Sequence, residues 1–268
     1  MLQREVFPYY RTCVEELNKA YSLFKSEFSS TYTDELMTIR GYVGEDQRKL
    51  ISDMMLGSCE IEDISVLEEF PKELGLITRN NNFILGGRYI VPVEAVNGDL
   101  VSLIGYYPDY KKYITLSTPF FSKSCMFFNF RQAYELSWKE YNGFVILVEG
   151  IFDCLSLRSI GLPAIATMGA TVSSIKCELL KLFKKVLAIP DDDVIGRKAL
   201  NINSKYGWKV PYNTTFLKFH GGFFEVDGTY LHCKDMDNFV SWYEANDVRE
   251  ILLSYYDCRS DLEELRLA

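Results

Sequence analysis

Three acidic groups carry the chemistry that this sequence offers: Glu149-Gly150-Ile151-Phe152-Asp153, Asp191-Asp192-Asp193-Val194-Ile195-Gly196-Arg197 and Lys234-Asp235-Met236-Asp237. Carboxylates gathered in one place repel each other unless cations neutralise them. Hard divalent ions such as Mg²⁺ or Mn²⁺ take oxygen-rich sites of this kind. One or two such ions would polarise a phosphoryl oxygen and activate an attacking oxygen. Asp191 and Asp193 stand two residues apart, so in an extended segment both point to the same side. Gly196 lets the chain turn closely into a helix whose first turn carries Arg197 and Lys198. For Glu149 and Asp153 taken by themselves a structural reading competes, because acids near helix N-termini are favourable caps. It weakens for the Asp191–Asp193 run, where adjacent like charges need a counter-ion.

The elements that must position these groups alternate. Phe144-Val145-Ile146-Leu147-Val148 reads as a buried strand leading into Glu149, and Val186-Leu187-Ala188-Ile189-Pro190 as another leading into Asp191. Between them the pattern predicts a helix over 152–160, a strand over Pro163–Thr167 and a helix from Ser173 to Lys184. A helix from Ile195, a strand over Thr215–Phe219 and a helix over Asp237–Ser254 follow. Strand–helix alternation implies a mainly parallel sheet with helices on both faces. Such sheets place ligands at the carboxyl ends of their strands. The chain divides near residue 140. Its first part opens with Tyr10, Val14, Leu17, Tyr21 and Phe24 at helical spacing. Further helices are expected from Thr33-Asp34 to Arg40-Gly41 and from Gly44-Glu45-Asp46. Strands Arg88–Val93 and Leu100–Ile104 flank Asn97-Gly98, a strong hairpin signal. The fold class expected is an α+β N-terminal subdomain followed by an α/β domain with a mainly parallel sheet. Its boundaries are 1–140, 141–240 and a short helical segment over 241–268.

Composition narrows the function. The chain has 268 residues, 48% of them hydrophobic, and a net charge of −8, which argues against nucleic-acid binding through overall charge while leaving room for a local basic groove. The cysteines at 13, 59, 125, 154, 177, 233 and 258 include no C-x-x-C pair, and with His220 and His232 as the histidines a zinc ribbon is not expected. Free thiols point to a reducing cytoplasm. No apolar run spans a membrane, and the opening Met1–Val6 lacks the apolar core of a signal peptide.

At the acidic groups the chain resembles a known family. Val148-Glu149-Gly150-x-x-Asp153 with Asp191-x-Asp193-x-x-Gly196-Arg197 is similar to the Toprim signature of DnaG-type primases, type IA and II topoisomerases and some nucleases. Ala166-Thr167-Met168-Gly169-Ala170-Thr171 resembles a segment of the primase branch. Lys234-Asp235-Met236-Asp237 resembles the primase K-D-P-D segment, with Met in place of Pro. Upstream, Gly87–Val93, Lys112–Thr115 through Phe121–Lys123, and Leu36–Leu56 resemble primase motifs in the same order. The resemblance covers almost the whole chain, and the ordered set is more specific than any member. It departs at Gly105–Asp109, where a basic residue of the primase turn is missing. The zinc-binding and helicase-binding domains of longer primases are not seen, a form associated with bacteriophages.

What the resemblance implies is a DnaG-like primase core that synthesises short RNA primers on single-stranded DNA by metal-dependent nucleotidyl transfer. Glu149, Asp191 and Asp193 would be catalytic. With Asp153, Asp235 and Asp237 they would hold Mg²⁺ or Mn²⁺. Arg88, Lys112, Lys123 and Arg197 would contact nucleotide or DNA. Ribonucleoside triphosphates, a single-stranded DNA template, and a replicative helicase or separate template-binding protein are the implied partners. For Arg88 and Lys112 the competing reading is a solvated sheet edge. Tyr106, Tyr107, Tyr110 and Tyr113 would stack on bases or pack within the hairpin. Two other functions stay open: a Toprim nuclease using the same acids for hydrolysis, and a primase-like binding or inhibitory protein without catalysis.

Overall fold

The computed structural model describes residues 2–26, 64–78, 80, 82–107, 112–191, 193, 198–199, 207–217, 223–226, 229–233 and 235–257. The helices expected from Thr33 and from Gly44 lie outside these residues, as do Tyr110, Lys234 and Arg197; of the helix expected from Ile195, residues 198–199 are described and are helical.

Two compact units divide between Phe121 and Ser122. In the first, helix α1 (Leu2–Ser26) turns Cys13, Leu17, Ala20 and Phe24 inward. Their four-three-four spacing makes one apolar stripe. It is centred slightly off the expected Tyr10–Phe24 face, whose Tyr10, Val14 and Tyr21 lie half-buried at its margins. Short 3-10 turns at Ile64–Glu69 and Lys72–Leu74 follow. Strands β1 (Tyr89–Glu94), β2 (Leu100–Tyr107) and β3 (Lys112–Thr115) then form an antiparallel sheet in the order β1-β2-β3. Pro92 lies inside β1 and lacks an N–H. β1 is an edge strand, where that loss is tolerated. The Asn97-Gly98 hairpin is present as a longer loop, closed by Ala95 N–H to Asp99 O at 2.8 Å, with Gly98 at φ 89. A bulge at Val93/Glu94 absorbs the extra length. Leu67, Leu74, Leu76, Leu85, Ile90, Leu103 and Leu116 join the α1 stripe in one core.

The second unit begins before the expected boundary at 140. Helix α2 (Phe130–Glu140) buries Phe130 and Ala133 in the same core as Val145, Leu147, Ile165 and Val186, so packing assigns it to the unit of the parallel sheet. That sheet holds β4 (Phe144–Val148), β5 (Ala164–Ala166), β6 (Lys185–Ile189) and β7 (Thr214–Phe216), all parallel, in the order β5-β4-β6-β7. Strands β4 and β6 are apolar throughout their buried length, as strands covered on both faces must be. Helix α3 (Ile151–Ser159) and helix α4 (Ser174–Leu180) supply the crossovers. A two-stranded ribbon of β8 (Phe223–Val226) and β9 (Thr229–His232) precedes helix α5 (Met236–Trp242) and helix α6 (Ala245–Asp257). The single helix expected over 237–254 is thus two, broken where Tyr243 is extended (φ −121, ψ 156). The expected boundary at 240/241 falls inside α5. Among the described residues no helix is long and apolar enough to cross a membrane.

Candidate active site

Strands β4 and β6 are direct neighbours, with Val148 opposite Ile189. Parallel pairing therefore delivers Glu149 and Asp191 to the same edge of the sheet. There, burial and the Asp193 and Asp153 charges push the Glu149 carboxyl up to about 7. Asp191 is driven higher, to about 9, by burial and then by Asp153, Glu149, Asp235 and Asp193. These shared influences place Glu149, Asp153, Asp191, Asp193 and Asp235 in one electrostatic neighbourhood. Oε2 of Glu149 is buried with no hydrogen-bond partner. Such an orphan acceptor is costly. Asp193 is exposed at the rim.

The remaining acids have structural work within the protein. Asp153 Oδ1 accepts the backbone N–H of Asp237 at 2.9 Å, which ties the start of α5 to α3. The Asp237 carboxylate accepts the Ser156 hydroxyl at 2.5 Å. Both aspartates are buried, at 7% and 6% exposure, which makes these bonds expensive to lose. Asp235 is the N-cap of α5 and accepts the Asn238 N–H at 2.9 Å. Gly150 has a local reason to be glycine, since a Cβ there would lie 2.3 Å from Asp153 Oδ2. Ser156 carries no functional mark in the sequence. A serine inside an apolar helix gives no signal until the fold sets it opposite Asp237.

The donor set fits a hard cation: carboxylate oxygens alone, one of them buried without a partner, and two carboxyl groups that burial and neighbouring acids push up to about 7 and about 9. Among the described residues no three carboxylate, imidazole or thiolate groups come together closely enough to hold a metal ion. Mg²⁺ keeps waters and substrate phosphates and needs only one or two carboxylates from the protein.

The candidate basic residues fall in both units. Arg88 crosses β2, its guanidinium 5.6 Å from the Tyr107 ring centroid and its Nε buried without a hydrogen-bond partner. A Cβ at Gly105 would meet its Cδ at 2.6 Å, so glycine at 105 makes the room that the arginine stem occupies. Lys112, opposite Tyr107, and Lys123 are exposed. Tyr106 is buried at 1% exposure and packs as core, whereas Tyr113, 5.0 Å away ring to ring, is 44% exposed.

Residues 146–212 match the protein family described as Toprim-like. Two curated relatives are the DNA primases of Clostridium acetobutylicum, 30% identical over 168 residues, and Thermotoga maritima, 29% identical over 195 residues. The matches cover 59% and 69% of this chain but 26% and 33% of those proteins, so the chain spans about a quarter to a third of their length. Among solved structures, a DnaG primase catalytic domain bound to single-stranded DNA superposes with a TM-score of 0.69 at 15% identity, over 91% of this chain and 79% of that one. The RNA polymerase domain of Mycobacterium tuberculosis primase DnaG does so with a TM-score of 0.67 at 16% identity, over 89% and 82%. The zinc-binding and RNA polymerase domains of Aquifex aeolicus primase give 0.66 at 21% identity, over 94% and 65%. The chain thus contains a Toprim-like domain within the fold of DnaG primase catalytic cores.

Proposed function

We propose that this chain is a primase core, making short RNA primers on single-stranded DNA from ribonucleoside triphosphates. The observation that carries the reading is the delivery of Glu149 and Asp191 side by side at one sheet edge, with Glu149 Oε2 buried and without a partner, inside a primase-like fold. Glu149, Asp191 and Asp193 would hold Mg²⁺ or Mn²⁺, which supplies charge for the phosphoryl oxygens and activates the attacking hydroxyl. The protein's own contribution is placement. Parallel strands fix the carboxylates, and the buried Asp153–Asp237 link and the Asp235 cap hold the start of α5. Arg88, Lys112, Lys123 and Arg197 would take phosphates of nucleotide and template. Net charge of −8 leaves little long-range attraction for DNA. A replicative helicase or separate template-binding protein would therefore raise the local template concentration.

The experiment is incubation of the purified chain with single-stranded DNA, ribonucleoside triphosphates and Mg²⁺ or Mn²⁺. New primers support the reading. Shortened DNA identifies a Toprim nuclease instead, and neither product identifies a binding protein.

A further inference from the structure

Lys176 lies in the first turn of α4, where its backbone N–H reaches the N-cap hydroxyl of Ser173 at 3.2 Å. A lysine on a short helix ordinarily extends into water. This one is 1% exposed. Its Nζ donates to the Thr167 carbonyl at 2.5 Å and lies 5.2 Å from the Phe127 ring centroid. Among the described residues no carboxylate pairs with it. Burial pulls its pKa down to about 8, which reports the cost of keeping an ammonium there. Leucine serves the next buried position of the helix, Leu180, so an apolar side chain is the less costly choice at such a site. What lysine adds is a donor.

The acceptor explains its use. β5 is an edge strand, and Thr167 is where the chain leaves it. Thr167 N–H still bonds to Val148 O at 3.0 Å. Met168 then turns into the left-handed region at φ 57. The Thr167 hydroxyl lies 3.3 Å from the carbonyl oxygen of Glu149 and 2.5 Å from that of Gly169. Thr167 therefore touches the backbone of both residues, 148 and 149, that aim the Glu149 side chain. We propose that Lys176 is a positioning residue: by holding the Thr167 carbonyl it fixes the 167–169 turn, and through that turn the backbone from which the Glu149 carboxylate projects. This rests on Glu149 being a site residue. Loss of the donor leaves a buried carbonyl unsatisfied, and small misplacements of a reacting constellation cost large factors in rate.

The test pairs Lys176→Met, which keeps the stem and removes the donor, with Lys176→Gln, which restores an N–H donor without charge. The position is read directly by the methyl NMR resonance of Met168 in protein labelled at methionine methyls, in metal-free buffer. Activity is read as primer synthesis. Lys176→Met should shift the Met168 methyl and lower kcat by about tenfold or more at an unchanged ribonucleotide KM, with Lys176→Gln returning both toward wild type. If Lys176→Met does not fold, Thr167→Val breaks the same link at the hydroxyl and should reproduce its effects. A folded Lys176→Met or Thr167→Val protein with wild-type resonance and turnover overturns the proposal, as does a Lys176→Gln protein no better than Lys176→Met. If the wild type makes no primers, the function proposed above fails, while the Met168 resonance still decides the role of Lys176: a shifted methyl in folded Lys176→Met supports it and an unshifted one overturns it.

Discussion

Replacing Asp191 by Asn should flatten the pH dependence of stability in metal-free buffer. An unfolded aspartate titrates near 4, whereas burial and neighbouring carboxylates hold native Asp191 at about 9. Between those values the native state carries the extra proton, so its stability falls as pH rises. The contribution is fully present below about pH 4 and is lost by the time pH passes about 9. One extra native proton sets a slope of about 1.4 kcal/mol per pH unit, or close to 3 kcal/mol between about pH 6 and about pH 8. For a chain of this size about 1 kcal/mol moves Tm by roughly 2–4 °C, so the wild type should lose on the order of 5–10 °C over that interval. Glu149, pushed up to about 7, adds a smaller slope that levels off near neutrality. Asn resembles the protonated carboxyl in shape and cannot ionise, so Asp191→Asn should match the wild type at low pH and exceed it at high pH. Calorimetric scans across pH in the presence of a chelator measure both curves. Saturating Mg²⁺ should lift the wild type at high pH, because binding to the native state stabilises by mass action, and should leave Asp191→Asn nearly unmoved. Parallel wild-type and variant curves would refute the reasoning, since Asp191 would then ionise like an ordinary surface acid.

Four other outcomes follow from the same geometry. Asp193→Asn should abolish primer synthesis while leaving the fold intact, and full turnover in that variant would remove Asp193 from the site. Gly150→Ala should destabilise the protein by about 2 kcal/mol or more in denaturant melts, because its Cβ would displace Asp153 and break the bond to Asp237 N. Arg88→Ala and Lys112→Ala should weaken binding to single-stranded DNA, by an amount that shrinks as salt rises; equal affinities at low salt would return both residues to the sheet surface. The isolated chain should bind single-stranded DNA with Kd of roughly 10⁻⁴ to 10⁻⁶ M, and robust priming at far lower DNA concentrations would eliminate the need for a partner protein.

Much of the second unit was legible in the sequence. Apolar runs at 144–148 and 186–190 can be little other than doubly covered strands, and the acids that end them mark the sheet edge. The observed β4 and β6 follow within a residue. Periodicity reports the faces of single elements, so the tilt of the α1 stripe toward Cys13 and Ala20 appeared only on packing. The same holds for α2. Its sequence stands before the first parallel strand, and only the burial of Phe130 and Ala133 in the Val145–Val186 core joins it to that sheet.

The candidate site divides along the same line. Residue type and spacing mark Asp191 and Asp193 as candidates for one cation site, because adjacent carboxylates repel without a counter-ion, and Glu149 joins them as an expectation only because it also ends an apolar strand. Tertiary structure decided how the acids share the work. Asp153, Asp235 and Asp237 look alike in the sequence, yet each accepts a backbone N–H or a hydroxyl, while Glu149 keeps an oxygen without a partner. Lys176 makes the contrast sharpest. In the sequence it is one more cation on a helix, since its partner, the Thr167 carbonyl, is a backbone group present at every residue. Only the crossover that lays α4 across the end of β5 makes that carbonyl a buried acceptor requiring this donor.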